Sequence, residues 1–302
     1  MIEGESSRRR FLKTGAALTL GAWSGTRVLG CSAPGTKPDE GMKFGLVTYQ
    51  WGRDWDLPTL IGNCETAGYS GVELRTQHAH SVEPSLSPAE REQVKKRFAD
   101  SPVECVGYGS NQEYHSPDPE ELERQIKGTR DLIVLCHDIG ASGVKVKPNN
   151  LPDGVPAEKT IAQIADSLNK VGRFASDYGQ EIRVEVHGRR TSELPVMKAI
   201  FEQVTESNVG ICWNSNDVDL KSPGLEANFN SVKKWFGSTV HIRELDVGDY
   251  PYQQLFDLFA AMDYNGWILL EARTEPEDRV AAMKEQLALF KSMVQQARSQ
   301  SG

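Results

Sequence analysis

From Met42 onward the apolar positions follow two alternating patterns. Short runs in which apolar and polar residues take turns predict strands, and the longer stretches between them, with apolar residues three and four apart, predict helices. The strand candidates are residues 43–48, 71–75, 103–107, 142–147, 182–187, 209–214, 239–243 and 267–272. Helix candidates lie between them, near 57–67, 87–100, 118–139, 157–178, 192–206, 225–236, 252–263 and 276–297. Pro marks several joins, as in Ser87-Pro88, Ser116-Pro117 and Tyr250-Pro251. Eight strand–helix units in about 255 residues predict an α/β fold, the (β/α)8 TIM barrel, over residues 42–298. An open doubly wound sheet is the alternative, and no G-x-G-x-x-G follows the first strand to support it.

The phase of the alternation sharpens this. Side chains point to opposite faces in turn along a strand. Val72 and Leu74 oppose Glu73 and Arg75; Val144 and Val146 oppose Lys145 and Lys147. Ile182, Val184 and Val186 oppose Arg183, Glu185 and His187, and Val240 and Ile242 oppose His241 and Arg243. The apolar phase faces the helices, so the charged phase points into the lumen. A lumen rich in Glu, Arg, Lys and His is either an internal salt-bridge layer or a ligand cavity. Burying so many charges for structure alone is costly, which favours the cavity.

The first forty residues do not fit this pattern. Arg8-Arg9-Arg10-Phe11-Leu12-Lys13 reads as a twin-arginine export signal, and the mildly apolar run from Thr14 to Leu29 is too short and weak for a transmembrane helix. Val28-Leu29-Gly30-Cys31 resembles a lipoprotein cleavage box, which makes Cys31 a candidate lipid anchor, and residues 32–41 have linker composition. Residues 1–41 are therefore expected to be a cleaved signal and linker, and the protein to be periplasmic or membrane-anchored. The other cysteines form no C-x-x-C pair and their pairing is not fixed by sequence; Cys105 and Cys212, within strand-like segments, read as buried free thiols. A net charge of −8 argues against a nucleic-acid partner. Oligomeric state is not legible.

The candidate chemistry sits at strand ends in the second half. Glu185, Asn214, His241 and Glu271 lie near the carboxyl ends of four successive strands, which a parallel barrel gathers on one rim. Two carboxylates, an imidazole and an amide oxygen suit one hard or borderline divalent cation, Mn2+ first, with Mg2+, Co2+ or Zn2+ as alternatives. Against this, Glu271 has Arg273 and Arg243 as ion-pair partners in sequence, and a lone His is often a core residue. His78-Ala79-His80 reads as a solvated loop rather than a second metal site. Trp51 and Trp55 follow the first strand and either stack on a sugar ring or fill the core. No phosphate-loop, G-x-S-x-G or H-E-x-x-H motif is present.

The segments Val184-Glu185-Val186-His187-Gly188, Cys212-Trp213-Asn214-Ser215-Asn216, His241-Ile242-Arg243-Glu244 and Leu270-Glu271-Ala272-Arg273 resemble, in that order, the motifs of the xylose isomerase-like sugar isomerase/epimerase family. The resemblance spans about Met42 to Arg298. It implies one divalent metal on Glu185, His241 and Glu271, with Asn214 where the family usually has Asp and Asp217 where it often has His. The loss of one carboxylate leaves two to balance the ion, so affinity should fall unless Asn216 or Asp217 compensates. The implied chemistry is proton transfer next to a carbonyl through a metal-stabilised enolate or enediolate, with Glu185 and Glu271 as the acid/base pair. His187, Arg243, Lys147, Glu73 and Trp51 are the candidate substrate contacts.

The first expectation is thus an isomerase or epimerase acting on an unphosphorylated sugar or derivative, since export separates it from cytosolic sugar phosphates. A lyase on 3-keto glycosides uses the same enolate. Two further classes are a non-catalytic sugar-binding barrel, with Asn214 as a mark of decay, and a DNA-repair endonuclease of the same fold. Six histidines and the acidic charge count against the last.

Overall fold

A computed structural model describes residues 41–301. Eight parallel strands close into a barrel: β1 (Lys43–Val47), β2 (Gly71–Arg75), β3 (Glu104–Glu113), β4 (Gly143–Lys147), β5 (Glu181–Glu185), β6 (Val209–Asn214), β7 (Phe236–Ile242) and β8 (Trp267–Leu270). Each strand pairs with its neighbours in sequence, and β1 pairs with β8 in the register Lys43↔Trp267 to Leu46↔Leu270. Eight helices follow the strands: α1 (Leu57–Ala67), α2 (Pro88–Ala99), α3 (Pro119–Ile139), α4 (Ala157–Asp177), α5 (Leu194–Phe201), α6 (Leu225–Val232), α7 (Tyr252–Ala260) and α8 (Arg279–Ser301). The expected TIM barrel is therefore present. The export signal, the Cys31 anchor and the linker lie outside the described residues.

Local chemistry sets the element ends. In α1, Asp56 accepts from the Thr59 N–H, Pro58 occupies the first turn and Gly68 closes the helix at φ 80°. In α2, Ser87 and Glu90 cap one another. These devices satisfy amides that a helix start leaves without partners. β3 runs longer than expected, because Ser110 to Glu113 are polar yet continue to pair, with Glu113 opposite Lys147.

Two apolar clusters result from the strand phase. The larger lies between barrel and helices and includes Val72, Val144, Ile182, Val184, Val240, Ile242, Ile268 and Leu270. The smaller lies inside the lumen, where Val47, Val106, Trp267 and Leu269 pack together with Tyr49 against them. The lumen is thus apolar along β1, β3 and β8, and charged along β2, β4, β5 and β7.

At its amino end, that charged side is an internal salt-bridge layer. Near the amino ends, Arg183 is buried and fully engaged. Its Nε donates to Glu181 (2.8 Å), one Nη to the Val106 carbonyl (3.0 Å) and the other to Ser142 (2.7 Å). Gly107 makes room for it, since a Cβ there would meet the guanidinium at 2.3 Å. This lower layer is a salt-bridge plug.

Candidate active site

Above the plug, Glu185 ends β5, Asn214 ends β6, His241 is the penultimate residue of β7 and Glu271 directly follows β8. The Glu271 N–H continues the ladder to the Ile242 carbonyl (2.7 Å), which fixes where its side chain starts. One donor atom each from Glu185, His241 and Glu271 lies within 4.8 Å of the others, and all three residues are buried. The strand ends predicted to meet do meet.

Each member is held from a different side. Lys145 Nζ lies 2.5 Å from Glu185 Oε2, with both side chains buried. Asn214 Nδ2 donates to Glu185 Oε1 at 2.9 Å. His241 Nε2 faces Glu73 Oε1 at 3.1 Å, and its Nδ1 faces Glu185 Oε1 at 3.9 Å. Neither nitrogen of His241, nor either oxygen of Glu73, completes a well-aligned hydrogen bond. Arg75 approaches Glu271 at 3.8 Å and lies over the Tyr49 ring.

The electrostatics follow from these neighbours. Burial alone would raise the Glu185 carboxyl, but Lys145 and then His241 outweigh it and hold the group well below the usual carboxylate range. Burial also opposes a charge on His241, and the Cys212 sulfur and Glu73 carboxylate beside the ring outweigh that, so the imidazole is shifted upward. Glu73 is held low by His241 and Lys145 against its own burial.

The donor set fits a divalent ion. Two carboxylates and an imidazole converge, and the imidazole has both nitrogens without aligned partners. Asn214 fits less well, because the atom it turns to Glu185 is its amide nitrogen, a donor, not its oxygen. Asn216 and Asp217 do not take its place. Asn216 Nδ2 donates to the Val186 and Asn214 carbonyls, and Asp217 is exposed at the start of a 3-10 turn.

The expected substrate contacts are divided. Lys147 Nζ lies 3.5 Å from Asn111 Oδ1 and 3.7 Å from Glu113. Arg75 reaches the same Asn111 oxygen at 3.2 Å, and His187 Nδ1 lies 2.7 Å from Asn149 Oδ1. These groups make a polar arc along the rim from β2 to β5. Arg243 carries a buried Nε without a hydrogen-bond partner, so part of its donor capacity is free. Glu73 lies beneath, against His241. Trp51 is placed elsewhere, in the outer core, with its indole N–H donating to the Thr274 carbonyl (2.9 Å). It holds the segment after Glu271.

Two features differ from expectation. His80 is not solvated but buried, with Nε2 on the Arg75 carbonyl (2.8 Å), and His78 is half-buried, with Nδ1 meeting Thr48 Oγ1 (2.9 Å). The loop folds back over β2, and burial lowers the His78 ring to about 4. Lys145 and Arg75 were legible only as lumen-phase cations. Nothing in the sequence says that they contact Glu185 and Glu271, because those contacts join different strands.

A closed (β/α)8 barrel with acidic and imidazole donors gathered at its carboxyl-terminal rim defines a class of protein. Residues 61–293 match the family described as Xylose isomerase-like TIM barrel, and the chain belongs to it. An inosose dehydratase of Histophilus somni (strain 129Pt) is 18% identical over 286 residues, covering 78% of this chain and 92% of that one. Among solved structures, an L-ribulose 3-epimerase is similar with TM-score 0.73 at 18% identity, over 86% of this chain and 97% of that one. The apo form of a 3-keto-D-glucoside 4-epimerase from E. coli has TM-score 0.70 at 16% identity, over 83% and 99%. An IolI protein with a bound zinc atom has TM-score 0.69 at 15% identity, over 86% and 99%.

Proposed function

We propose that the protein is an isomerase or epimerase that moves a proton next to the carbonyl of an unphosphorylated sugar or sugar derivative. The observation that carries this reading is the convergence of Glu185, His241 and Glu271 within 4.8 Å on one rim. Those three hold a divalent ion, Mn2+ first and Zn2+ its rival, and the ion when bound supplies Lewis acidity to the substrate carbonyl. Glu185 and Glu271 reach the reacting carbon from different strands, so one takes the proton and the other returns it. Glu185 is held ionised by Lys145, which weakens it as a base; Glu271 is therefore assigned the first abstraction. His187, Lys147 and Arg243 hold substrate hydroxyls from the rim, and Glu73 keeps the His241 ring in place.

A lyase reading shares every step up to the enolate and then expels a leaving group. It is favoured by one observation, that a relative over most of the chain is a dehydratase. Neutral ketoses and 3-keto glycosides incubated with enzyme in heavy water separate the readings. An epimerase places deuterium beside the carbonyl in both epimers, whereas a lyase yields an unsaturated product. Wild-type protein that does neither across both substrate classes would sink the proposal. E271Q should abolish exchange, and exchange at the wild-type rate in both E185Q and E271Q would remove the assigned roles.

We also propose export by the twin-arginine route, with anchoring at Cys31, from the residue pattern at 8–31. Changing Arg8 and Arg9 to Lys should leave precursor in the cytoplasm. Normal export of that double variant would contradict it.

A further inference from the structure

We propose that Lys145 is the resident counter-cation of this site, and that a divalent ion binds Glu185 only in competition with it. This rests on the reading that Glu185, His241 and Glu271 hold the ion. The Lys145 side chain has no exposed surface, and its Nζ sits 2.5 Å from Glu185 Oε2. Shut off from bulk solvent, the ammonium has Glu185 as its close counter-charge. The other oxygen, Oε1, accepts from Asn214 Nδ2 (2.9 Å) and faces His241 Nδ1 (3.9 Å). Both oxygens of the first ligand are therefore already engaged by donors from this chain.

Formal charge points the same way. The groups in contact around the site are the carboxylates of Glu73, Glu185 and Glu271 and the cations of Lys145 and Arg75. With His241 neutral, as a metal ligand must be, they sum to −1, and a divalent ion takes the site to +1. Without Lys145 the same groups sum to −2, which the ion neutralises. Asn214 belongs to the same arrangement. An Asp there would press a second carboxylate against Glu185 Oε1, whereas the amide donates to it. Lysine and asparagine together hold Glu185 ionised and hydrogen-bonded before any ion arrives. A buried lysine with a purely structural role would leave ion affinity unmoved.

The test is calorimetric titration of chelator-treated protein with Mn2+ and with Zn2+, at fixed pH and ionic strength. It compares wild type, K145M, K145R and H241N. K145M should bind roughly tenfold more tightly or better, since it loses a like charge a few ångströms from the ion in a buried site. K145R keeps the charge and should stay near wild type, and H241N should weaken binding. A second readout is thermal: K145M should melt below wild type in chelator, where Glu185 is left buried without its partner, and added ion should close the gap. If K145M does not fold, K145Q, which keeps a donor without the charge, takes its place. Ion affinity in K145M equal to or weaker than wild type, with H241N impaired, would overturn the role of Lys145 and leave the metal site standing. Equally negligible binding by wild type, K145M and H241N would overturn both.

Discussion

Glu244 shows how much of the site depends on a residue that touches no candidate ligand. Its Oε1 accepts from the Arg273 N–H (2.8 Å), the Thr274 N–H (2.7 Å) and the Thr274 hydroxyl (2.6 Å). Three donors on one carboxylate oxygen tie the turn after β7 to the segment that leaves Glu271. E244A strands two partly buried amides, which costs about 1–3 kcal/mol for each left without a partner. The expected outcome is a lower melting temperature and weaker ion binding, because Glu271 loses its anchor; unchanged calorimetric affinity in E244A would show that Glu271 is fixed without it. Sequence reading reached Glu185, His241 and Glu271 because strand phase and strand end together nearly determine where a barrel side chain goes. It missed the direction of Asn214, since an amide offers a donor and an acceptor and only its neighbour Glu185 decides between them. It missed the work of Glu244 because that residue acts through backbone amides, which leave no mark in residue type.

At the scale of elements, one close-packed joint is where β2 meets β8 across the lumen. A Cβ on Gly71 would meet the Trp267 ring at 2.5 Å and Val106 Cγ2 at 2.6 Å. Overfilling a packed interior costs about 1–3 kcal/mol, and a rigid indole concedes little space. G71A should therefore lower unfolding free energy by that amount in a denaturant titration, with an unchanged slope. A variant as stable as wild type would show that Trp267 can shift. The strands themselves were legible through alternation, and the helices through their apolar spacing and the prolines before them. The two-residue strands Asn149–Asn150 and Gly188–Arg189, which pair beside the rim, were not. Two residues carry no period, and their pairing depends on loops brought together only by β4 and β5.

The whole molecule should feel pH through Asp219, which lies wholly buried in the 3-10 turn just after β6. Burial raises its carboxyl from 3.8 to about 7, although hydrogen bonds from the Asn216 N–H (2.8 Å) and the Tyr250 hydroxyl (2.9 Å) pull the other way. A folded-state value above the unfolded one means that the folded protein holds the extra proton. The resulting contribution is fully present below about pH 4 and is lost as pH rises through about 7. D219N cannot titrate, so the melting temperature of wild type relative to D219N should decline between about pH 5 and pH 8. A constant difference across that range would show that Asp219 is ionised throughout.

The seam between β1 and β8 sets an order of events. Lys43 pairs with Trp267, so the ring closes only when the two ends of the barrel segment find each other. Contacts between such distant residues are slow to form, while each strand and its helix can settle locally beforehand. Glu271 arrives with that last strand. A refolding chain would therefore regain most of its helical signal while Glu185 and His241 still lack their third companion, and the power to bind an ion would report ring closure itself.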